Sequence, residues 1–138
     1  MKKTFLIKDI SELSTVSSEI IKLMKEKNIF LFYGDMGSGK TTLIGQICKT
    51  MGINHYSSPT YGIINQYLSP TFGDIYHIDC YRFIKESEAI NSGLMELIDE
   101  NEFCFIEWPE KIQNLLPNNC VIISLDVENN TREITLTL

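Results

Sequence analysis

The sequence predicts an α/β fold of three layers, with a mainly parallel central sheet that carries antiparallel additions. Three observations lead there. Ile29-Phe30-Leu31-Phe32-Tyr33 is apolar at every position, the pattern of a strand buried on both faces. A glycine-rich loop and an amphipathic helix follow it directly. A second apolar run, Phe103-Cys104-Phe105-Ile106, and an alternating pair of segments near the C-terminus supply further strands.

The elements follow in order. Thr4-Phe5-Leu6-Ile7 is a short first strand, and Ser11 is placed to cap a helix that has Glu12 in its first turn. Leu13, Val16, Ile20, Leu23 and Met24 then recur at helical spacing. After the strand at 29–33 and the loop, Leu43, Ile44, Ile47, Cys48 and Met51 form one stripe, closed by Gly52 at a helix C-terminus. Residues 61–68 and 74–79 read as strands joined by Ser69-Pro70-Thr71-Phe72-Gly73, which is turn chemistry. Ile90, Leu94, Leu97 and Ile98 predict helix within 85–100, with Gly93 as its weak point. Pro109 suits the first position of a short helix. Residues 121–127 and 131–138 alternate and close a hairpin through Glu128-Asn129-Asn130.

With 138 residues the chain is expected to be one domain, spanning 1–138. A domain of this size removes roughly 70% of its unfolded surface from water, enough for a core without staples. No apolar run approaches the ~20 residues of a membrane span. Met1-Lys2-Lys3 followed by Thr4-Phe5-Leu6-Ile7 mimics a signal peptide until Lys8 and Asp9 interrupt it. The expected location is the cytoplasm, with no membrane association. Cys48, Cys80, Cys104 and Cys120 lack C-x-x-C spacing and sit in apolar segments, as small buried hydrophobes do in a reducing compartment.

The net charge of −6 is unevenly spread. Residues 1–52 hold eight lysines against five acids, a net +3, and residues 53–138 hold four basic against thirteen acidic residues, a net −9. So acidic a stretch repels a nucleic-acid backbone. If RNA enters the function, a partner carries it.

Gly34-Asp35-Met36-Gly37-Ser38-Gly39-Lys40-Thr41 satisfies the phosphate-binding pattern G-x4-G-K-[ST] in full. Its glycines let backbone N–H groups converge on phosphate oxygens, Lys40 can reach the β- and γ-phosphates, and the Thr41 hydroxyl can ligate Mg²⁺. The helix that follows points its positive end at the anion. A chance match is on the order of one in a few hundred for a chain this long. The fold expected is therefore a P-loop NTPase-like domain.

Such a loop needs acids at the carboxyl ends of neighbouring strands. Asp79 ends one candidate strand and Glu107 another, each directly after apolar residues. Thr60, in Ser57-Ser58-Pro59-Thr60, stands where a switch segment would lie; either it touches γ-phosphate or Mg²⁺, or Ser58-Pro59 is simply a turn. His77 lies mid-strand and reads as a packing histidine rather than a ligand. Trp108 either walls the site or packs ordinarily, and Arg82 either meets phosphate charge or pairs with an acid such as Glu86.

Residues 34–42, Ser58-Pro59-Thr60-Tyr61, Tyr76-His77-Ile78-Asp79-Cys80-Tyr81-Arg82, Glu107-Trp108-Pro109-Glu110 and Leu116-Pro117 resemble, in order and spacing, the TsaE (YjeE) family. These are bacterial ATPases that help make threonylcarbamoyladenosine in tRNA. The resemblance spans nearly the whole chain and rests on blocks that P-loop proteins do not share in general. It implies a Mg²⁺-dependent ATPase that works with two related partners, TsaB and TsaD. TsaD transfers the threonylcarbamoyl group, the TsaE-like subunit binds where the two meet and hydrolyses ATP to reset the complex, and tRNA is met only through the assembly. Carried over by position, Met36, Gly37, Ser38, Gly39, Lys40 and Thr41 hold phosphates, and Thr41 and Glu107 ligate Mg²⁺. Asp79 assists catalysis or positions water, Thr60 belongs to the switch-like segment, and a residue near Ser11 together with Arg132 contacts the nucleoside. Ser38, often alanine in the family, and Cys80, often leucine, depart from its pattern without removing a needed group. On this resemblance, the C-terminal tail that some members carry is expected to be absent or its role replaced.

Other classes fit less well. A small-molecule or nucleotide kinase needs several arginines, and the chain holds Arg82 and Arg132. A GTPase needs an Asn-Lys-x-Asp block, which is missing. A nucleotide-gated adaptor that barely hydrolyses ATP stays open.

Overall fold

Runs that are apolar at every residue must lie where both faces of a sheet are covered. The computed structural model, which describes residues 1–53 and 64–138, puts them there. From the N-terminus the elements are β1 (Lys2–Ile7), α1 (Leu13–Leu23), β2 (Ile29–Tyr33) and α2 (Lys40–Thr50). Then come β3 (Ile64–Ser69), β4 (Gly73–Asp79), α3 (Glu86–Asn91), α4 (Leu94–Asp99) and β5 (Phe103–Glu107). A 3-10 helix, Pro109–Leu115, leads to β6 (Val121–Glu128) and β7 (Thr131–Thr137). The strands form one sheet in the order β1-β7-β6-β2-β5-β4-β3.

Strands β6, β2, β5 and β4 are mutually parallel, and β1, β7 and β3 add to the edges antiparallel. The fold is thus mixed α/β with a parallel core, as expected. Alternation along β2 divides its side chains between two cores. Phe30 and Phe32 face α1 and α2, whereas Ile29 and Leu31 face the side of α3, α4 and the 3-10 helix. On β5, Phe105 joins the first core, while Cys104 and Ile106 join the second. Phe105 is fully buried and meets the Phe30 and Phe32 rings edge-on, at centroid distances of 5.6 and 5.8 Å. The α1/α2 face is the one that carries the candidate site residues below.

Several local expectations shift. The first strand begins at Lys2, and Asp9 rather than Ser11 caps the first helix. Asp9 is extended and its carboxylate accepts the Ser11 N–H at 3.4 Å, while Glu12 Oε1 accepts the Asp9 N–H at 3.0 Å. This reciprocal box starts a 3-10 turn, Ile10–Glu12, that runs into α1. The single helix expected within 85–100 breaks at Gly93, whose φ of 92° ends α3 and starts α4. The last hairpin turns on Asn129 and Asn130 alone, both left-handed, the two-residue geometry that matches strand twist. Of the strand expected over 61–68, residues 61–63 lie outside the described residues.

All four cysteines are buried, and burial pushes the Cys48, Cys80 and Cys104 thiols up to about 12. They pack as hydrophobes. Among the described residues no helix is long and apolar enough to cross a membrane.

Phe105→Ala removes the ring that ties β5 to β2 within the larger core. It is expected to destabilise the fold by about 3–5 kcal/mol in denaturant unfolding. A loss below about 1 kcal/mol would mean that this face is not close-packed.

Candidate functional site

The chain leaves β2 at Tyr33 and re-enters regular structure at Lys40, so residues 34–39 must turn a strand into a helix. A Cβ on Gly34 would lie 2.5 Å from Ser38 Oγ and 2.9 Å from the Leu125 carbonyl oxygen, so only glycine fits there. Gly37 takes a φ of 82°, and a Cβ there would meet nothing within 4 Å, because that flank of the loop is open. Gly39 occupies the cap position of α2 and has no side chain to satisfy the first helical N–H groups. Those donors and the helix dipole face an open cavity, an arrangement suited to an anion. Ser38 Oγ is buried, with no hydrogen-bond partner among the described residues.

Lys40 is only 6% exposed. Its Nζ donates to the Gly34 carbonyl at 2.6 Å and sits 3.6 Å from the centre of the Trp108 ring. Burial pushes the ammonium below the ordinary lysine range, and the carboxylates of Glu107, Glu110, Asp79 and Asp35 push it back up. The group is fixed by a carbonyl on one side and an aromatic face on the other. Trp108 itself is left-handed, at φ 55°, immediately before Pro109. An aromatic residue pays about 1–3 kcal/mol for such a conformation. It sets the ring against Lys40 and against Tyr81, whose centroid is 5.0 Å away. Trp108 therefore walls the site.

The acids come from parallel neighbours. In the β4/β5 register Phe105 lies opposite His77 and Glu107 opposite Asp79, and the two-residue period puts all four on the face that meets α2. Glu107 is 4% exposed. Its Oε1 accepts the Thr41 hydroxyl at 3.3 Å, and its Oε2 lies 2.6 Å from His77 Nε2. His77 Nδ1 is 3.2 Å from the Tyr67 hydroxyl. Asp79 is half-buried, and its Oδ1 accepts the Tyr81 N–H at 3.0 Å.

Met36, Gly37, Gly39, Lys40, Thr41, Asp79, Glu107 and Arg132 all line one cavity of about 340 Å³, together with Thr42, Tyr81 and Trp108. Arg132 reaches it from β7, its Nε within 3.4 Å of where a Cβ of Gly39 would lie. Arg132 also lines a neighbouring cavity of about 250 Å³ with Ile7, Lys8, Asp9, Ile10, Val127 and Asn130. Ser11 is exposed beside that second cavity and lines neither. Thr60 lies outside the described residues. Arg82 is exposed, lines no part of the first cavity and has no carboxylate within ion-pair distance among the described residues. His77 is buried within the sheet, as its mid-strand place allows for a core histidine, and its ring meets Glu107. Its even spacing from Asp79 within one strand was the signal that it shares the acids' face.

The oxygen donors suit a hard cation: a threonine hydroxyl and a buried carboxylate 3.3 Å apart, with a second carboxylate at the adjacent register position. Magnesium fits this set.

Comparison with known proteins agrees with the geometry. The family described as "Threonylcarbamoyl adenosine biosynthesis protein TsaE" matches residues 7–134. A Haemophilus influenzae protein named tRNA threonylcarbamoyladenosine biosynthesis protein TsaE is 35% identical over 121 residues, covering 85% of this chain and 75% of that one. A Borreliella burgdorferi protein of the same name is 40% identical over 93 residues, 66% of each chain. The crystal structure of Bacillus subtilis YdiB superposes with a TM-score of 0.80 at 24% identity, covering 99% of this chain and 84% of that one, a likeness of fold. A phosphate-binding loop in a parallel-cored sheet, with a family match along nearly all of its length, leads to one assignment: the chain belongs to the TsaE family of tRNA threonylcarbamoyladenosine biosynthesis proteins.

Proposed function

We propose that the chain binds ATP with Mg²⁺ in the 340 Å³ cavity and hydrolyses it as an accessory subunit of a complex with TsaB- and TsaD-type partners. The observation that carries this reading is Lys40, buried and fixed under a helix start that no side chain caps. In this reading the backbone of residues 36–41 cradles the phosphates and Lys40 faces the β- and γ-phosphate charge. Thr41 and Glu107 would hold Mg²⁺, which when bound neutralises charge on the phosphate oxygens. Asp79, beside Glu107 and partly open to the cavity, orients the attacking water. Arg132, shared between the two cavities, reaches the nucleoside from one side, with the segment around Ser11 on the other. Thr60 would approach the γ-phosphate as part of a switch segment.

The surface around the cavity suits a protein partner better than RNA. Met36, 68% exposed, and Tyr81 both line the cavity and leave apolar surface open beside it. Apolar side chains left open at the rim of a site mark a contact surface. The cytoplasm is the proposed location, and tRNA is met through the partners.

Three outcomes test the reading. Lys40→Ala deletes a charge-assisted contact and is expected to weaken ATP binding roughly ten- to a hundredfold in titration calorimetry; unchanged affinity would remove Lys40 from the phosphate site. Glu107→Gln is expected to lower Mg²⁺-dependent turnover roughly a hundredfold or more while the melting temperature moves only a few degrees; equal turnover would take Glu107 out of the metal shell. Turnover of the isolated chain is expected to rise when TsaB- and TsaD-type partners are added. A rate fixed at zero in both settings would leave a nucleotide-binding adaptor instead.

A further inference from the structure

The proposed phosphate and metal chemistry gives no task to the buried imidazole of His77. His77 is 1% exposed at the middle of β4, with both ring nitrogens engaged: Nε2 by Glu107 Oε2 at 2.6 Å and Nδ1 by the Tyr67 hydroxyl at 3.2 Å. The other oxygen of Glu107 meets the Thr41 hydroxyl at 3.3 Å. Tyr67, His77, Glu107 and Thr41 therefore form one hydrogen-bonded run from the edge strand β3 to the first turn of α2.

Its direction follows from donor chemistry. An ionised carboxylate only accepts, so His77 Nε2 carries a hydrogen and donates to Glu107. The Tyr67 hydroxyl meets Nδ1 at the far side of the ring at 3.2 Å, so the imidazole is held at both nitrogens.

We propose that His77 is a positioning residue: it holds Glu107 by Oε2 so that Oε1 is presented toward Thr41 and a divalent cation, and Tyr67 fixes the imidazole that does the holding. The inference rests on the Mg²⁺-nucleotide reading above and adds to it the group that aims the carboxylate. A terminal carboxylate torsion is otherwise broad, and Thr41 alone holds it through a single hydrogen bond at 3.3 Å. The short bond to a ring locked between two strands removes that freedom before any ligand arrives. Hydrogen bonds of this kind to ligating carboxylates are worth about ten- to a hundredfold in metal affinity.

The test uses His77→Gln, His77→Asn and Tyr67→Phe in the full chain. Glutamine can set an amide N–H near the place of Nε2, whereas asparagine is too short to reach Glu107. For each variant the Mg²⁺ concentration that half-maximally tightens binding of a fluorescent ATP analogue is measured, with the metal-free nucleotide affinity and the melting temperature alongside. His77→Asn is expected to raise the Mg²⁺ midpoint about ten- to a hundredfold while metal-free affinity stays within about twofold. His77→Gln is expected to stay within about threefold of the natural protein, and Tyr67→Phe to fall between the two. An unchanged midpoint in His77→Asn, with the natural protein responding to Mg²⁺, overturns this inference alone. Equal losses in the asparagine and glutamine variants that track their melting temperatures overturn it in favour of a packing role. A natural protein whose nucleotide binding ignores Mg²⁺ overturns both this inference and the reading beneath it.

Discussion

A buried ammonium is the constraint from which the rest of the site follows. Taking a lysine out of water is unfavourable unless its charge is met by fixed partners. Lys40 is met by the Gly34 carbonyl, by the face of Trp108, and by carboxylates on β5 and β4 that act through the low-dielectric interior. Each partner makes its own demand on the fold. The carbonyl needs a loop that doubles back where no Cβ fits at Gly34. The indole needs Trp108 in a left-handed conformation, and the carboxylates need β5 and β4 in parallel register beside β2.

That register also explains why the candidate site residues gather on one face of the sheet. Phe30, Phe32 and Phe105 anchor the α1/α2 side; the same alternation sets His77 level with Phe105 and delivers Glu107 and Asp79 beyond them, at the strand ends. The opposite side is closed by Leu31, Ile106, Cys80 and Phe83 under the short helices. A one-residue slip of β4 or β5 would exchange these sets and bury the acids in a dry core. The tight core packing therefore fixes the geometry of the polar residues at its rim.

Much of this was legible in the sequence because it is local. The loop is a contiguous motif, β2 and β5 are unbroken apolar runs, and Glu107 and Asp79 announce themselves as acids ending strands. What was hidden depends on contacts distant in sequence or on small energetic contests. His77 resembles a packing residue until the β4/β5 register sets it beside Glu107, thirty residues away. Trp108 could have faced either way, and its backbone conformation decides. Asp9 wins the helix cap from Ser11 because Glu12 reaches back to complete a reciprocal box. Gly93 divides what the apolar spacing drew as one helix, since its left-handed backbone ends one turn and starts the next.

The claim that the loop, Lys40 and the Thr41–Glu107 pair share the charge of a magnesium nucleotide is tested most directly by a crystal structure. The protein would be grown with Mg²⁺ and a non-hydrolysable ATP analogue. The account predicts the terminal phosphates against the amides of residues 37–41 and the Lys40 ammonium, with the cation between Thr41 and Glu107. A nucleotide bound elsewhere, or a cation that touches neither Thr41 nor Glu107, would contradict it.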